Sequence, residues 1–203
     1  MRRTLLAAAG GYLLGTLPSA DLAARWASGG ELDLRDEGTG NPGAANAMGV
    51  LGKRWAAGVA VADVAKGVAA GVWGRRLAGG PGANVASTAA VVGHCFPAWN
   101  GFRGGKGVAT SVGQVLATFP PYFPIDALIA GGTTQIPGVP RPAFTATIAA
   151  ASGWVLAATI AWRRDLPNGW AAPPDATLPL GAAVSSGVIV WRFVEAERSA
   201  GAL

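Results

Sequence analysis

Lys53-Arg54-Trp55-Ala56-Ala57-Gly58-Val59-Ala60-Val61-Ala62-Asp63-Val64-Ala65-Lys66-Gly67-Val68-Ala69-Ala70-Gly71-Val72-Trp73-Gly74-Arg75-Arg76 is an apolar run between two basic pairs, with a tryptophan near each end. A helix rises 1.5 Å per residue, so about 20 residues cross the hydrocarbon of a bilayer. Trp55 to Leu77 meets that length, and its flanking charges and indoles suit the membrane–water interface. The only charges in its interior, Asp63 and Lys66, are three residues apart and share a helix face, where they can pair. An ion pair inside lipid is costly unless it is satisfied or functional, so this one reads as support for a site.

Outward from that stretch the pattern repeats. Upstream, Thr4 to Trp26 is apolar but broken at Gly15-Thr16-Leu17-Pro18, with Asp21 near its end. The apolar segment continues past Pro18, which argues for a retained first helix rather than a cleaved signal. A polar, glycine-rich loop runs from Ser28 to Arg54. Downstream, Gly79-Gly80-Pro81-Gly82 turns into a short helix, Ala83 to Trp99. A second glycine-rich loop, Asn100 to Gly107, opens a helix from Val108 to about Phe119. The segment Pro120 to Pro142 is rich in proline and glycine and reads as re-entrant or interfacial. Helices from Ala143 to Trp162 and Leu178 to Val194 complete the chain, separated by a polar loop from Arg163. Long apolar runs without alternation leave no strand signal. The expected fold is all-α: one polytopic membrane domain, residues 1–203, of about five to seven short transmembrane helices.

Composition agrees. Of 203 residues, 51% are hydrophobic and 13% charged, against roughly 25% charged in soluble domains. Abundant glycine and alanine let helix backbones approach closely in lipid. The net charge of +5 does not point to nucleic acid, because the basic residues sit between apolar segments rather than along an aromatic-studded stripe. Trp26, Trp55, Trp73, Trp99, Trp162, Trp170 and Trp191 fall at or near helix ends, as interfacial indoles do. Orientation is contested: Arg2 and Arg3 favour a cytoplasmic N-terminus, while the more heavily charged glycine-rich loops demand the same side one crossing later. The loops carry more weight. A single cysteine, Cys95, excludes an internal disulfide and a multi-cysteine metal site, and reads as a small buried hydrophobe.

The chemistry lies in the two loops. Gly38-Thr39-Gly40-Asn41-Pro42-Gly43 satisfies the dinucleotide spacing of glycines, but no strand precedes it and no βαβ unit surrounds it. Gly101-Phe102-Arg103-Gly104-Gly105-Lys106-Gly107 is not a nucleotide P-loop, since Asn100 replaces its first glycine and Gly107 its metal-binding hydroxyl. Consecutive glycines, a lysine and a helix start nonetheless suit an anion. The plain alternative is a glycine turn with a lysine at the head groups. His94, the only histidine, is either a general base or a hydrogen-bonding group that orders a helix end beside the glycine loop. No acidic orienter stands near it in sequence, which favours the second reading.

Several of these segments together resemble a known family. Gly15-Thr16-Leu17-Pro18, Gly38-Thr39-Gly40-Asn41-Pro42-Gly43-Ala44-Ala45-Asn46, Asp63-Val64-Ala65-Lys66-Gly67, Gly93-His94-Cys95-Phe96-Pro97 and Gly101 to Thr110 look, in order and spacing, like the motifs of the bacterial acyl-phosphate:glycerol-3-phosphate acyltransferases. The resemblance implies transfer of a fatty acyl group from acyl phosphate to the 1-hydroxyl of glycerol 3-phosphate at the cell membrane. It implies no metal and no cofactor, with membrane lipids as surroundings. Catalytic roles would fall on Lys106, Thr39 and His94. Substrate binding would fall on Asn41, Gly40, Gly43, Asn46, Arg35, Gly104, Gly105 and Gly107. Two departures stand out. The family's arginine three residues after the loop asparagine is Gly49 here, and glycine cannot clamp a phosphate. In the C-terminal Arg-His-x-x-Asn motif only Arg192 remains. An impaired or substrate-altered paralogue that binds lipid phosphates therefore stays open, as does a small transporter. The sequence leaves acyl-chain preference and oligomeric state unspecified.

Overall fold

The computed structural model describes residues 1–170 and 173–199, in which every regular element is a helix and none is a strand. The elements are α1 (Arg2–Gly15), α2 (Ser19–Ser28), α3 (Ala44–Val50), α4 (Lys53–Cys95), α5 (Val108–Thr118), α6 (Phe123–Gln135), α7 (Pro142–Arg163) and α8 (Thr177–Ser199). Among the described residues, three helical stretches are long and apolar enough to cross a membrane: α4 with the turn that follows it, α7 and α8.

The expected break at Gly15–Pro18 separates α1 from α2. The expected turn at Gly79–Gly82 is a sharp reversal inside α4. Ala78 (φ −147°, ψ 27°) and Gly79 (φ 63°, ψ −147°) leave the helical region there, and Gly79 takes a left-handed φ that a side chain resists. The limbs on either side run antiparallel: a Cβ on Gly74 would lie 2.1 Å from the Gly82 carbonyl oxygen. Three expectations need correction, and a fourth segment gains an element. The second limb ends at Cys95, not Trp99, and residues 98–100 form a single 3-10 turn. The first polar loop contains the short helix α3. Helix α8 continues past Val194 to Ser199. The proline-rich segment holds α6, 13 residues long, which starts beside Tyr122 and returns along α7.

Small residues set the packing. A Cβ on Gly11 would meet the Ala86 carbonyl oxygen at 2.1 Å, and one on Gly15 that of Ala90 at the same distance. Helix α1 thus lies backbone to backbone, and parallel, with the second limb of α4. Gly113 of α5 sits as closely on the first limb, 2.1 Å from the Val64 carbonyl oxygen by the same measure. Such contacts replace hydrophobic driving force between helices in lipid with dispersion at short range. Because α1 and the limb run parallel, the N-terminus lies on the face of the Gly79 reversal, opposite the two glycine-rich loops. Many large apolar residues face outward, among them Leu5, Leu13, Val61, Leu128, Leu156 and Leu180. On a membrane protein that surface meets lipid.

Candidate active site

Both glycine-rich loops gather on one face and are stitched together. Arg35 donates from Nη1 and Nη2 to Asp21 at 2.7 and 3.2 Å, and from Nε to the Arg103 carbonyl at 3.0 Å. Asn100 donates to Asp21 Oδ2, the oxygen that Arg35 Nη2 also reaches, at 2.9 Å, and Trp99 Nε1 to the Thr16 carbonyl at 3.2 Å. Burial pushes the Arg35 guanidinium down, but its bonds and proximity to Asp21, then Asp33, outweigh this and leave it above the ordinary arginine value.

Beneath the loops lies a buried polar cluster. Asp63 is 2% exposed, Lys66 6% and His94 9%. Lys66 donates to Asp63 Oδ1 at 2.8 Å and to Ser19 Oγ at 2.9 Å, while Ser19 donates to Asp63 Oδ1 at 2.5 Å. The expected i,i+3 pair is therefore present and satisfied, as a charge pair in lipid must be. His94 Nδ1 lies 3.5 Å from the same oxygen. This corrects the reading of His94 as lacking an acidic orienter: the carboxylate comes from the other limb of α4, a contact that only the hairpin creates.

The second loop owes its glycines first to packing. The N–H groups of Gly104 and Gly105 donate to the Cys95 and His94 carbonyls at 3.1 and 3.2 Å. Those two donors are spent on the helix end rather than held open to an anion, which corrects the expectation of a glycine nest. A Cβ on Gly105 would come within 2.3 Å of His94 Nε2, and one on Gly104 within 2.0 Å of the His94 carbonyl oxygen. Arg192 locks the loop from α8, donating from Nη2 to the Gly104 carbonyl at 2.6 Å and from Nε to that of Gly105 at 3.3 Å. Lys106 is left projecting, its ammonium 4.3 Å from the centre of the Phe193 ring. Burial lowers its pKa from the ordinary lysine value, opposed by Glu197 and assisted by Arg192.

A cavity of about 590 Å³ opens beside these groups. Thr39, Asn41, Asp63, His94 and Lys106 line its polar end, with Gly43 and Gly107. Its body runs between α5, α6, α7 and α8 and is lined mainly by alanine, valine and aromatic side chains. The expected site residues divide accordingly. Thr39, Asn41, Gly43, His94, Lys106 and Gly107 come together at the cavity mouth. Gly104, Gly105 and Arg35 border a separate small cleft behind His94, shared with Asp21 and Lys66. Asn46 is buried and fully occupied within the loop: it accepts from the Thr39 N–H at 2.8 Å and donates to the Leu34 and Glu37 carbonyls, each at 2.9 Å. It shapes the loop rather than facing the cavity, and Gly40 (φ 68°) serves the same turn. Sequence reasoning missed Phe193 and the loop-locking role of Arg192. Position 49, where the family's arginine is absent, is exposed and open, with nothing within 4 Å of an added Cβ.

Fold and site together define an all-helical protein, with helices long and apolar enough to cross a membrane, in which cationic and hydroxyl groups meet at the mouth of a largely apolar cavity. The profile of the family described as glycerol-3-phosphate acyltransferase matches residues 5–199, and the chain belongs to that family. Named glycerol-3-phosphate acyltransferases are similar to it. That of Synechococcus elongatus is 47% identical over 54% of this chain and 55% of its own length. Those of Maricaulis maris (41% identical, 79% and 71%) and Pseudomonas aeruginosa (35%, 89% and 87%) match over longer stretches. The chain spans little more than half the length of the Synechococcus relatives it matches. A crystal structure of PlsY, an integral membrane glycerol 3-phosphate acyltransferase, in its glycerol 3-phosphate form superposes with a TM-score of 0.73. The two are 28% identical, over 98% of this chain and 93% of that one. A lysophosphatidic acid form of PlsY matches with a TM-score of 0.72.

Proposed function

We propose that this protein transfers a fatty acyl group from acyl phosphate to the 1-hydroxyl of glycerol 3-phosphate, as a multi-pass protein of the cell membrane with its glycine-rich loops in the cytoplasm. The observation that carries this is the junction of Thr39, Asn41, His94 and Lys106 with an apolar cavity of about 590 Å³. An acyl phosphate has an anionic head and an apolar tail, and that cavity has a cationic mouth and an apolar body.

An acyl phosphate is already activated, so positioning and charge stabilisation supply most of the acceleration. The hydroxyl oxygen of glycerol 3-phosphate attacks the carbonyl carbon, and the bond from that carbon to the phosphate oxygen breaks. The phosphate departs with the electron pair towards Lys106. The hydroxyl proton passes to His94, whose other ring nitrogen is held beside Asp63. Thr39 and Asn41, on the turn that Asn46 fixes, are placed to hold the acceptor. The body of the cavity also carries Asp126, Thr134, Thr147, Ser185 and Ser186, so the product assay below, rather than the lining, separates acyl transfer from the transporter reading.

Purified protein in lipid nanodiscs, given acyl phosphate and isotopically labelled glycerol 3-phosphate, tests the proposal. Labelled lysophosphatidate is the expected product; its absence from folded protein would favour a paralogue that only binds lipid phosphates.

A further inference from the structure

Along α7, Ala143, Ala146, Thr147, Ala150, Ala151 and Trp154 line the cavity, and one stripe of the helix runs Ala143, Ala146, Ala150, Trp154, Ala158 and Ala161. These positions recur every three or four residues and so lie in one stripe. Every member but one is alanine. Trp154 is 4% exposed and stands in the middle of α7. The first four line the cavity, whereas Ala158 and Ala161 are wholly buried in the cluster below it. The indole therefore lies where the cavity ends. It is backed by Tyr122, stacked on it with ring centres 5.3 Å apart and planes 22° apart. Phe119, Leu178 and Ala182, which do not line the cavity, belong to the same buried cluster as the pair.

We propose that Trp154 is the floor of the acyl-chain site and sets the longest chain the protein accepts. The proposal rests on the acyl phosphate reading above and deepens it. Ala143 is level with the mouth, because the neighbouring Phe144 packs on Phe193, which carries the Lys106 ammonium. From Ala143 to Trp154 is about 16 Å along the helix axis. An acyl chain entering beside Lys106 runs down the alanine stripe and meets the indole. Alanine walls leave room for the chain; a stacked ring pair in a close-packed cluster does not yield as a lone flexible side chain would. Each methylene that fits gains about fourfold in affinity from burial, and each one beyond the floor gains nothing.

The test uses alkyl phosphates from decyl to octadecyl as probes of binding, read by the shift in unfolding temperature of the protein in nanodiscs. It runs alongside lysophosphatidate formation from acyl phosphates of the same lengths. Wild type should gain affinity with each methylene up to a limit and then level off. Trp154→Ala should move that limit to longer chains by several carbons. Ala150→Phe, which places a ring one turn above the floor, should move it to shorter ones and remains informative if the first variant fails to fold. An unchanged limit in the folded variants, or no limit in wild type, overturns the proposal. A limit that moves while no lysophosphatidate forms leaves the floor standing and removes the transfer reading. Transfer with an identical length profile in all variants does the opposite.

Discussion

His94 Nδ1 lies 3.5 Å from Asp63 Oδ1, an oxygen that also accepts hydrogen bonds from Lys66 and Ser19. One buried carboxylate thus serves two limbs of α4 and the start of α2, and the only histidine of the chain is oriented by it.

Removing that charge should be expensive. Asp63→Asn leaves the Lys66 ammonium buried without a counter-charge, a loss of about 3–5 kcal/mol in unfolding free energy. Adding Lys66→Met should recover most of the stability but not turnover, because His94 still lacks its orienter. His94→Gln should lower kcat by about 10²–10⁴ at unchanged KM for glycerol 3-phosphate. Lowered stability with unaltered kcat would instead make His94 a packing group.

Arg192 is the second point of leverage. It holds the carbonyls of Gly104 and Gly105 and so fixes the direction of Lys106. Arg192→Ala should cost about tenfold to a hundredfold in kcat, the scale of a small misplacement of a reacting group. KM for glycerol 3-phosphate should change little, and steady-state kinetics in nanodiscs separates the two.

Position 49 offers a gain. Gly49 is exposed, one turn from Ala45, which lines the cavity mouth. Gly49→Arg meets no clash at Cβ, and its guanidinium would project on the Ala45 side of α3. A bidentate phosphate contact of about 1.5–3 kcal/mol should lower KM for glycerol 3-phosphate by about tenfold or more. An unchanged KM would show that Lys53 or Arg54 already fills that role.

Lys106 gives a pH signature. Its pKa is lowered by burial from 10.5, with Glu197 opposing and Arg192 adding to the shift. A bound phosphate favours the ammonium, so alkyl phosphate affinity is full below the lowered value and falls as pH rises through it. The decline should begin at a lower pH than an ordinary lysine would give. Lys106→Arg should move it upward, since arginine keeps its charge. Titration calorimetry across alkaline pH reads both.

Much of this was legible in the sequence because it is local. The helix break at Pro18, the reversal at Gly79 and the Asp63–Lys66 pair follow from spacing and from glycine and proline chemistry. The loop motifs gave Thr39, Asn41, Gly43, His94 and Lys106, all of which meet at the cavity mouth. What spacing could not give depends on tertiary contact. The Asp63–His94 approach needs the hairpin. The spending of the Gly104 and Gly105 N–H groups needs the exact end of α4, which falls at Cys95 rather than Trp99. The occupation of Asn46 needs the turn that it builds. Helix α6 escaped notice because its prolines lie at the first turn and beyond its end, where a helix tolerates them.

Phosphate release from acyl phosphate by purified protein in nanodiscs, with and without glycerol 3-phosphate, decides whether wild type and Lys106→Ala transfer the acyl group. Release that depends on glycerol 3-phosphate and falls by about 10²-fold or more in Lys106→Ala is expected. No release by folded wild type, or equal release by the variant, would contradict it.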